Sequence, residues 1–358
     1  MRPDGGFWRG RRVLLTGHTG FKGAWLALWL HRLGAHVTGL ALPPAGTPHL
    51  YGLAGVAQTL NSRYVDIRDA QATTQAVHEA QPEVVFHLAA QALVGTGYTH
   101  PLDTFQTNVQ GTAHVLDALR DQEGMRVALV VTTDKVYRNL ETPSPYRETD
   151  HLGGHDPYSA SKAACELVVD SYRLSYLEDQ GVAVATARAG NVIGGGDWSP
   201  NRLVPDAVRA WQQQQTLVLR HPGSTRPWQH VLEPLWGYLL LAQRLWTDPT
   251  LAGAWNLGPL PHEAATVGRV TALAQAAYGQ GEVVVETPSQ LPHEAGWLAL
   301  DTAKARHGLH LYPRWDLPTA VHKTLNWYRD QQSGANARDL CLQNITDFES
   351  APPCGDWS

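Results

Sequence analysis

The 358-residue chain lacks long apolar runs. A helix needs roughly 20 mostly apolar residues to span a membrane. The most apolar stretch, LWGYLLLAQRLW at residues 235–246, is interrupted by Gln243 and Arg244. The first twelve residues also lack the apolar segment of a signal peptide. We therefore expect a protein with no membrane partner.

Cysteine and excess positive charge are also scarce. The three cysteines, Cys165, Cys341 and Cys354, are too few for a framework of disulfides. This usage suits a reducing compartment, and we expect a cytoplasmic location, with Cys165 as a small buried side chain. The net charge of -5 gives nucleic acid no electrostatic basis for binding. The nearest pair among the 17 histidines, His151 and His155, has no third ligand in view, so we expect no metal site.

The first 190 residues alternate short apolar runs with segments of helical spacing. We predict strands over 12–16, 36–42, 64–67, 83–90, 126–133 and 182–189, and helices over 22–33, 69–80, 101–119 and 157–177. Strands that are apolar on both faces and alternate with helices are typical of a parallel sheet covered on both sides. The pattern predicts a Rossmann-type, doubly wound α/β domain over residues 1–190.

The pattern loosens beyond residue 190, where GGGDW, HPGSTRPW and LGPLPHE break up short helices and strands. We predict a smaller α+β lobe over residues 191–335 that rests on the strand ends, with some segments returning to the Rossmann domain. Residues 336–358 carry little pattern, and we expect a C-terminal surface tail there.

The motif TGHTGFKG, residues 16–23, lies between the first strand and the first helix. Glycines in such a turn let the backbone approach a pyrophosphate, and the helix N-terminus offers free N–H groups to it. An ordinary glycine-rich turn is the alternative. The predicted cofactor-binding residues of this turn are Gly17, Thr19, Gly20, Phe21, Lys22 and Gly23.

The second strand is followed by no ribose-binding residue. Residues 38–50 contain neither an acid for a ribose 2′-hydroxyl nor an arginine for a 2′-phosphate. The residues alone therefore leave NAD and NADP open, and they predict a weak hold on the adenosine ribose.

Tyr158 and Lys162 lie four residues apart on the predicted helix 157–177, which places them on one face. A free tyrosine titrates near pH 10 and is a poor base at neutral pH. A neighbouring lysine cation favours the phenolate. Such a pair can accept a proton from an alcohol while a hydride leaves the carbon.

The stretch VVTTDKVY, residues 130–137, carries a buried strand directly into polar groups. Thr133, Asp134 and Lys135 present a hydroxyl, a carboxylate and an amine at the predicted strand end. The alternative interpretation of Asp134 and Lys135 is a structural ion pair.

These motifs occur in an order that resembles the extended short-chain dehydrogenase/reductase family, in its nucleotide-sugar-modifying branch. The resemblance covers about residues 8–330 and also rests on DIRD at 66–69, HLAAQ at 87–91, NVQGT at 108–112 and RAGNV at 188–192. It implies a Rossmann domain with a tightly held nicotinamide cofactor, NAD. It further implies that Asp66 and Ile67 lie at the adenine, that Thr107 lies near the cofactor, and that the following residues line it: Leu88, Ala89 and Ala90.

The segment after Thr133 distinguishes branches of the family. The resemblance implies that Thr133 bonds the sugar 4-hydroxyl beside Tyr158. The Asp134–Lys135 pair is similar to the pair found at this position in the 4,6-dehydratases that act on CDP-glucose, in deoxysugar biosynthesis. The phrases GHTGFKGAWLALWL, NVIGGGDW and RPWQHVLEPLWGYLLLAQ match the same branch. The implied partner is a nucleotide sugar, CDP-glucose.

The chemistry of that branch gives each catalytic residue a task. Oxidation at C4 makes a ketone that acidifies the C5 hydrogen, and hydride later returns to C6. Tyr158 is the expected base for oxidation, helped by Lys162 and Thr133, and Asp134 is the expected acid at the 6-hydroxyl. Lys135 takes the place of the C5 base, and it must be neutral to accept a proton, although a lysine titrates near 10.4 in water. Positive neighbours and burial favour the neutral form and Asp134 opposes it, so the balance stays open.

The resemblance also implies that Asn191, Arg202 and Arg226 contact the sugar or its diphosphate, for which the forked arginine side chain is suited. No residue is predicted to read the cytosine. Family members pair through two long helices, which implies a homodimer or a dimer of dimers. A nucleotide-sugar 4-epimerase or dehydrogenase, a 4,6-dehydratase for another nucleotide sugar, and a non-catalytic binding protein are the remaining alternatives.

Overall fold

The computed structural model describes residues 2–286 and 296–354. Its strands are β1 (Arg12–Thr16), β2 (His36–Ala41), β3 (Asn61–Tyr64), β4 (Val84–His87), β5 (Val127–Val131), β6 (Ala183–Ala189), β7 (Val192–Ile193), β8 (Leu217–Leu219), β9 (Thr225–Arg226), β10 (Gln229–His230), β11 (Gly253–Leu257), β12 (Ala265–Thr266) and β13 (Val283–Val285). Seven of them form one sheet in the order β11-β6-β5-β4-β1-β2-β3. All its neighbours are parallel. The predicted Rossmann-type fold is confirmed.

Helices cover the sheet and build much of the remainder. They are α1 (Gly5–Trp8), α2 (Phe21–Arg32), α3 (Leu50–Leu53), α4 (Ala70–Ala80), α5 (Val94–Thr99), α6 (Pro101–Phe105), α7 (Gly111–Ala118), α8 (Pro157–Tyr172), α9 (Leu203–Gln212), α10 (Leu232–Thr247), α11 (Val267–Tyr278), α12 (Ala303–Leu309), α13 (Leu317–Gln332) and α14 (Ala337–Ser350). None of the helices within the described residues is long and apolar enough to cross a membrane.

Both faces of the sheet are buried, as the continuous apolar runs predict. Alternate residues of a strand point to opposite faces. In β5, Val127, Leu129 and Val131 join one core, which contains α2 and α10. Ala128 and Val130 join the other, which contains side chains of α4, α7 and α8. This burial on two sides fixes the strand that leads to the candidate catalytic residues.

Residues after β6 form short two-stranded sheets. The pairs are β7 with β10, β8 with β13, and β9 with β12. Strand β11 then returns to pair with β6 at the edge of the main sheet. A returning segment of this kind was expected, although its position was not.

One local prediction is wrong, and two predicted helices are present with an irregular segment. The third strand lies at Asn61–Tyr64 and not at 64–67. It is an edge strand with no fully buried residue, so it does not need the apolar run that suggested 64–67. The helices predicted over 101–119 and 157–177 each contain a π-helical segment, at Gln106–Gln110 and Arg173–Leu177.

The surface tail expected after residue 335 is also wrong over most of its length. Residues 337–350 form α14, which packs on α2 and buries Cys341, Ile345 and Phe348. Together with Ala337 these residues recur every three or four positions, and the Asn336 side chain caps the helix. This helical spacing was present in the sequence and was missed.

Candidate functional site

The candidate site lies at the carboxyl ends of β1 and β4, where the strand order of the sheet reverses. Crevices at this point of a doubly wound sheet bind ligands. The Thr16 hydroxyl accepts hydrogen bonds from the N–H groups of Leu88 (3.1 Å) and Ala89 (3.0 Å). The end of β1 is thereby fixed to the segment predicted to line the cofactor, Leu88, Ala89 and Ala90.

The glycine-rich turn has the close backbone approach expected of a diphosphate site. Gly17 has φ of +78°, and a Cβ atom there would lie 2.8 Å from the Ala89 nitrogen. A Cβ atom on Gly23 would lie 2.1 Å from the Gly17 carbonyl oxygen. Gly20 begins α2 without a capping side chain, so the helix terminus is suited to an outside anion. The turn therefore fits the diphosphate of a dinucleotide.

The other predicted cofactor residues have defined local contacts. The Thr19 hydroxyl donates to the Leu42 carbonyl at 2.9 Å, and half-buried Phe21 packs on the core. Ile67 is buried, and a Cβ atom on Gly111 would lie 2.7 Å from it. Thr107 lies half-buried in the π-helical segment Gln106–Gln110.

Asp66, which was predicted at the adenine, is bound by Arg68. The guanidinium donates to the carboxylate at 2.7 Å and holds the pKa of Asp66 below its usual range. His18 was not predicted as a site residue; it is buried and hydrogen-bonded to the Ser62 hydroxyl at 2.7 Å. Burial lowers the pKa of His18 to about 4, so its imidazole is neutral at pH 7.

The candidate catalytic segment follows β5. Thr133 has an extended backbone, and Asp134–Val136 form a 3₁₀ turn after it. The Thr133 hydroxyl donates to Asp134 Oδ1 at 2.9 Å. The second carboxylate oxygen, Oδ2, is buried and has no hydrogen-bond partner among the described residues. Burial raises the pKa of Asp134, while Lys135, the Thr133 hydroxyl, Arg226 and Lys22 oppose the shift. Asp134 is therefore suited to carry a proton into the site.

Tyr158 and Lys162 lie in the first two turns of α8, which begins at Pro157 after the cap Asp156. Burial raises the pKa of Tyr158 to about 12, and a hydrogen bond from Thr133 and the charge of Arg202 oppose this. A hydroxyl has one proton, so Thr133 can donate to Asp134 or to Tyr158 but not to both. The Lys162 amine donates to the Val131 carbonyl at 3.1 Å. Activation of Tyr158 by Lys162 stays a prediction.

Lys22 reaches the catalytic residues as well as the glycine turn. Its amine lies 3.4 Å from the Tyr238 hydroxyl of α10. Burial, together with the charges of Arg202 and Lys162, lowers the pKa of Lys22 to about 7, against the opposing charge of Asp134. Tyr238 lies within the matching stretch RPWQHVLEPLWGYLLLAQ, but it was not predicted as a site residue.

The predicted substrate residues come from the segments after β6. Arg226 is buried in β9, and its charge acts on Asp134. Asn191 follows Gly190, where a Cβ atom would lie 3.1 Å from Asp134 Oδ2. Both positions therefore border the catalytic segment.

Arg202, the third predicted substrate residue, is a third exposed, and its guanidinium binds buried Asp197 at 3.2 Å. Asp197 was not predicted, because a carboxylate in the loop GGGDW carries no signal of its partner. Tyr328 of α13 donates to the Asp197 carbonyl at 2.5 Å and holds this loop.

Metal ligation receives no support from the part of the chain that the structure describes, where no group of three or more His, Cys, Asp or Glu side chains could hold an ion. Cys165 is fully buried, as predicted.

Comparisons with known proteins bear on the whole chain. CDP-glucose 4,6-dehydratase of Salmonella typhimurium is 41% identical over 354 residues, which is 97% of this chain and 99% of that protein. A dTDP-glucose 4,6-dehydratase of Streptomyces antibioticus is 31% identical over 75% of this chain and 76% of its own length.

Solved structures agree on the fold. A UDP-N-acetylglucosamine 4-epimerase from Methanobrevibacter ruminantium matches with a TM-score of 0.77 at 22% identity, over 90% of this chain and 99% of its own. The family model described as "NAD dependent epimerase/dehydratase family" matches residues 13–258. The glycine turn at the switch point of the sheet and the Tyr158–Lys162 pair beside it thus lie in a chain that belongs to the NAD dependent epimerase/dehydratase family.

Proposed function

We propose that the protein converts CDP-glucose to CDP-4-keto-6-deoxyglucose, as a 4,6-dehydratase that uses NAD and restores it in each cycle. One observation carries the proposal: Asp134 and Lys135 directly follow Thr133, and beside Tyr158 Asp134 presents a buried carboxylate oxygen that no described residue hydrogen-bonds. The full-length similarity to the Salmonella typhimurium enzyme supports CDP-glucose as the substrate.

Oxidation at C4 is the first step. When bound, NAD accepts the hydride from C4 and later returns it to C6. Tyr158 takes the proton of the 4-hydroxyl. Thr133 is the hydrogen-bonding neighbour of the Tyr158 oxygen and of the sugar 4-oxygen. Because burial raises the pKa of Tyr158, the phenolate needs further stabilisation, which the positive charge of oxidised NAD would supply when it is bound.

Elimination of water is the second step. Lys135 accepts the proton from C5, the C5–C6 double bond forms, and the 6-hydroxyl leaves as water with a proton from Asp134. A buried carboxyl with a raised pKa is a suitable acid at neutral pH. Lys135 then returns its proton to C5 as the hydride reaches C6.

We assign the remaining predicted residues by their place around this chemistry. Arg226, Arg202 and Asn191 hold the sugar and its diphosphate, Lys162 supports Tyr158, and Asp66, Ile67 and Thr107 lie towards the adenine end. Residues 1–190 form the NAD-binding domain and 191–335 mainly the substrate lobe. Cys165 and Cys341 are buried free thiols, which supports a cytoplasmic location.

A direct assay tests the activity. The protein is incubated with CDP-glucose and NAD, and the product is followed by the absorbance of a 4-keto-6-deoxy sugar in base. We expect product without net NADH, and slower turnover with dTDP-glucose or UDP-glucose. Accumulating NADH or a galactose-type epimer would support an epimerase or dehydrogenase, and an inert protein would support a binding role.

We further propose that the protein is a homodimer, or a dimer of dimers, that pairs through α6, α7 and α8. Large apolar side chains are exposed on these helices and just after α8: Leu102 on α6 is 76% exposed, Leu167 on α8 63%, and Leu174 in the π-helical segment Arg173–Leu177 62%. An apolar patch of this kind marks an interaction surface. Leu167→Glu should shift the mass measured by light scattering to that of a monomer. Leu140→Glu, at a position 65% exposed outside these helices, is the matched control and should leave the dimer intact.

A further inference from the structure

A buried ion pair lies next to the catalytic segment and takes no part in the proposed reaction. Arg188, on β6, donates to Glu166 Oε2 on α8 at 2.9 Å. Their side chains are 4% and 2% exposed. A buried pair of this kind contributes little net stability, because both charges lose their hydration. Stability alone is therefore a poor explanation of its presence.

The carboxylate of this pair holds the residue before Thr133. The Thr132 hydroxyl donates to Glu166 Oε1, and the Thr132 N–H donates to the Ala187 carbonyl at 3.0 Å. Glu166 lies one helical turn after Lys162 on α8. The exit of β5 is thus joined to the helix that carries Tyr158 and Lys162.

The guanidinium of the same pair holds the residue after the 3₁₀ turn. Arg188 donates to the Tyr137 hydroxyl at 2.9 Å and lies 5.1 Å from the centre of its ring. The Tyr137 hydroxyl in turn donates to Asn256 Oδ1 of β11 at 2.6 Å. Residues 133–136 are therefore held at both ends by one ion pair.

We propose that Glu166 and Arg188 are positioning residues that set the catalytic segment against α8, through Thr132 at one end and Tyr137 at the other. A displacement of about 1 Å can cost 10²-fold in rate, so two buried anchors around a short catalytic turn have a direct effect on turnover.

The two anchors act on different steps of the reaction, an inference that rests on the proposed function. Thr132 adjoins Thr133, which serves the oxidation at C4. Tyr137 closes the turn that contains Lys135, which serves proton transfer at C5. Loss of the first anchor should slow oxidation, and loss of the second should slow elimination while oxidation continues.

Three conservative variants separate positioning from packing. Thr132→Val and Tyr137→Phe each remove one anchoring hydroxyl. Thr186→Val is the matched control, because the Thr186 hydroxyl donates to the same Glu166 carboxylate at 2.7 Å but belongs to β6, where Thr186 pairs with Val130 inside strand β5 and not with residues 132–137. Hydrogen exchange of the peptide over 132–137 is measured in the free protein, together with single-turnover NADH formation and solvent deuterium incorporation at C5.

We expect Thr132→Val to slow NADH formation by about 10- to 100-fold. Tyr137→Phe should leave NADH formation within about threefold and slow C5 exchange by about 10- to 100-fold. Both should speed hydrogen exchange at 132–137, and Thr186→Val should change none of these quantities by more than about threefold.

The proposal is overturned if hydrogen exchange at 132–137 stays at the wild-type rate in both anchor variants, or if Thr186→Val matches their losses. The exchange measurement needs no substrate. A wild-type protein that forms no product would therefore refute the proposed function, while the anchoring would still be decided by hydrogen exchange.

Discussion

The catalytic and substrate residues are held in different ways. Thr133, Asp134 and Lys135 leave a central strand that is hydrogen-bonded on both sides within a seven-stranded ladder. Arg202 directly precedes helix α9 and Arg226 lies in a two-residue strand, and side chains take over the support there. A main-chain ladder brings the reacting segment to its place, where the buried Glu166–Arg188 pair holds its ends, whereas the groups that recognise charge depend on side-chain contacts alone. Four changes would break or sharpen this contrast.

The largest effect is expected on the ladder side, at Lys135. Lys135→Met should still reduce NAD with substrate but should lose exchange of the C5 hydrogen with solvent by about 10²- to 10⁴-fold, because the base is gone. The measurement is deuterium incorporation at C5 in heavy water beside NADH absorbance. Lys304→Met, at a surface lysine bonded to the Ala254 carbonyl, is the control. Normal C5 exchange in Lys135→Met would remove Lys135 from this role.

The next largest effect is expected on the packing of α14. It tests whether side-chain contacts can hold a whole helix in place. Phe348 is fully buried, with its ring 5.1 Å from that of Trp315 and 5.6 Å from that of Trp236. Phe348→Ala should lower the free energy of unfolding by about 3–5 kcal/mol, measured by urea titration. Gln343→Ala, on the exposed face of the same helix, should stay within about 0.5 kcal/mol. A loss below about 1 kcal/mol at Phe348 would restore the surface-tail interpretation.

Glu233 supplies a pH-dependent anchor in the part of the chain after β6. It is buried in the first turn of α10, and its carboxylate accepts hydrogen bonds from the backbone N–H groups of Arg314 (2.9 Å) and Trp315 (2.8 Å). Burial raises its pKa from 4.5 to about 7. The folded state then binds more protons than the unfolded state between these values, so the free energy of unfolding falls as pH rises from 4.5 to 7, by at most about 3 kcal/mol.

Glu233→Gln keeps an oxygen acceptor and removes the titration. Its unfolding free energy should vary less with pH over this window, and above pH 7 the variant should be more stable than the wild type. Glu123→Gln, at an exposed position, is the control. Parallel pH curves for the wild type and Glu233→Gln would contradict the assignment.

The smallest effect is expected at Asp197, on the substrate side. Asp197→Asn keeps the hydrogen bond from the Ser199 N–H, at 3.0 Å in the wild type, but loses the charge that holds Arg202. A partly exposed ion pair is worth about 1 kcal/mol or less, so KM for CDP-glucose should rise by about three- to fivefold with kcat unchanged. Asp206→Asn breaks a similar pair with Arg209 on α9 and serves as the control. A fall in KM would mean that Asp197 competes with the substrate for Arg202.

The same contrast explains what the sequence could predict. Alternating strands and helices, the glycine turn and the Tyr158–Lys162 spacing are local patterns, and each indicated the correct element or place. Edge strand β3 was misplaced because an edge needs little apolar character. Two contacts join elements that are separate in the sequence: Tyr328 with Asp197, and Arg188 with Glu166. No spacing along the chain predicts such contacts.

Helix α14 is translated late, so its packing against α2 is a late step in the folding of the chain. It covers α2, where the Trp29 indole donates to Glu349 at 2.9 Å. A chain still attached to the ribosome has made Trp29 long before it has made Phe348, so that face of α2 stays uncovered through most of translation. Exposed aromatic surface on a nascent chain is a target for chaperones and a cause of aggregation. Yield in a heterologous host should therefore rise when chaperones that bind nascent chains are supplied in excess.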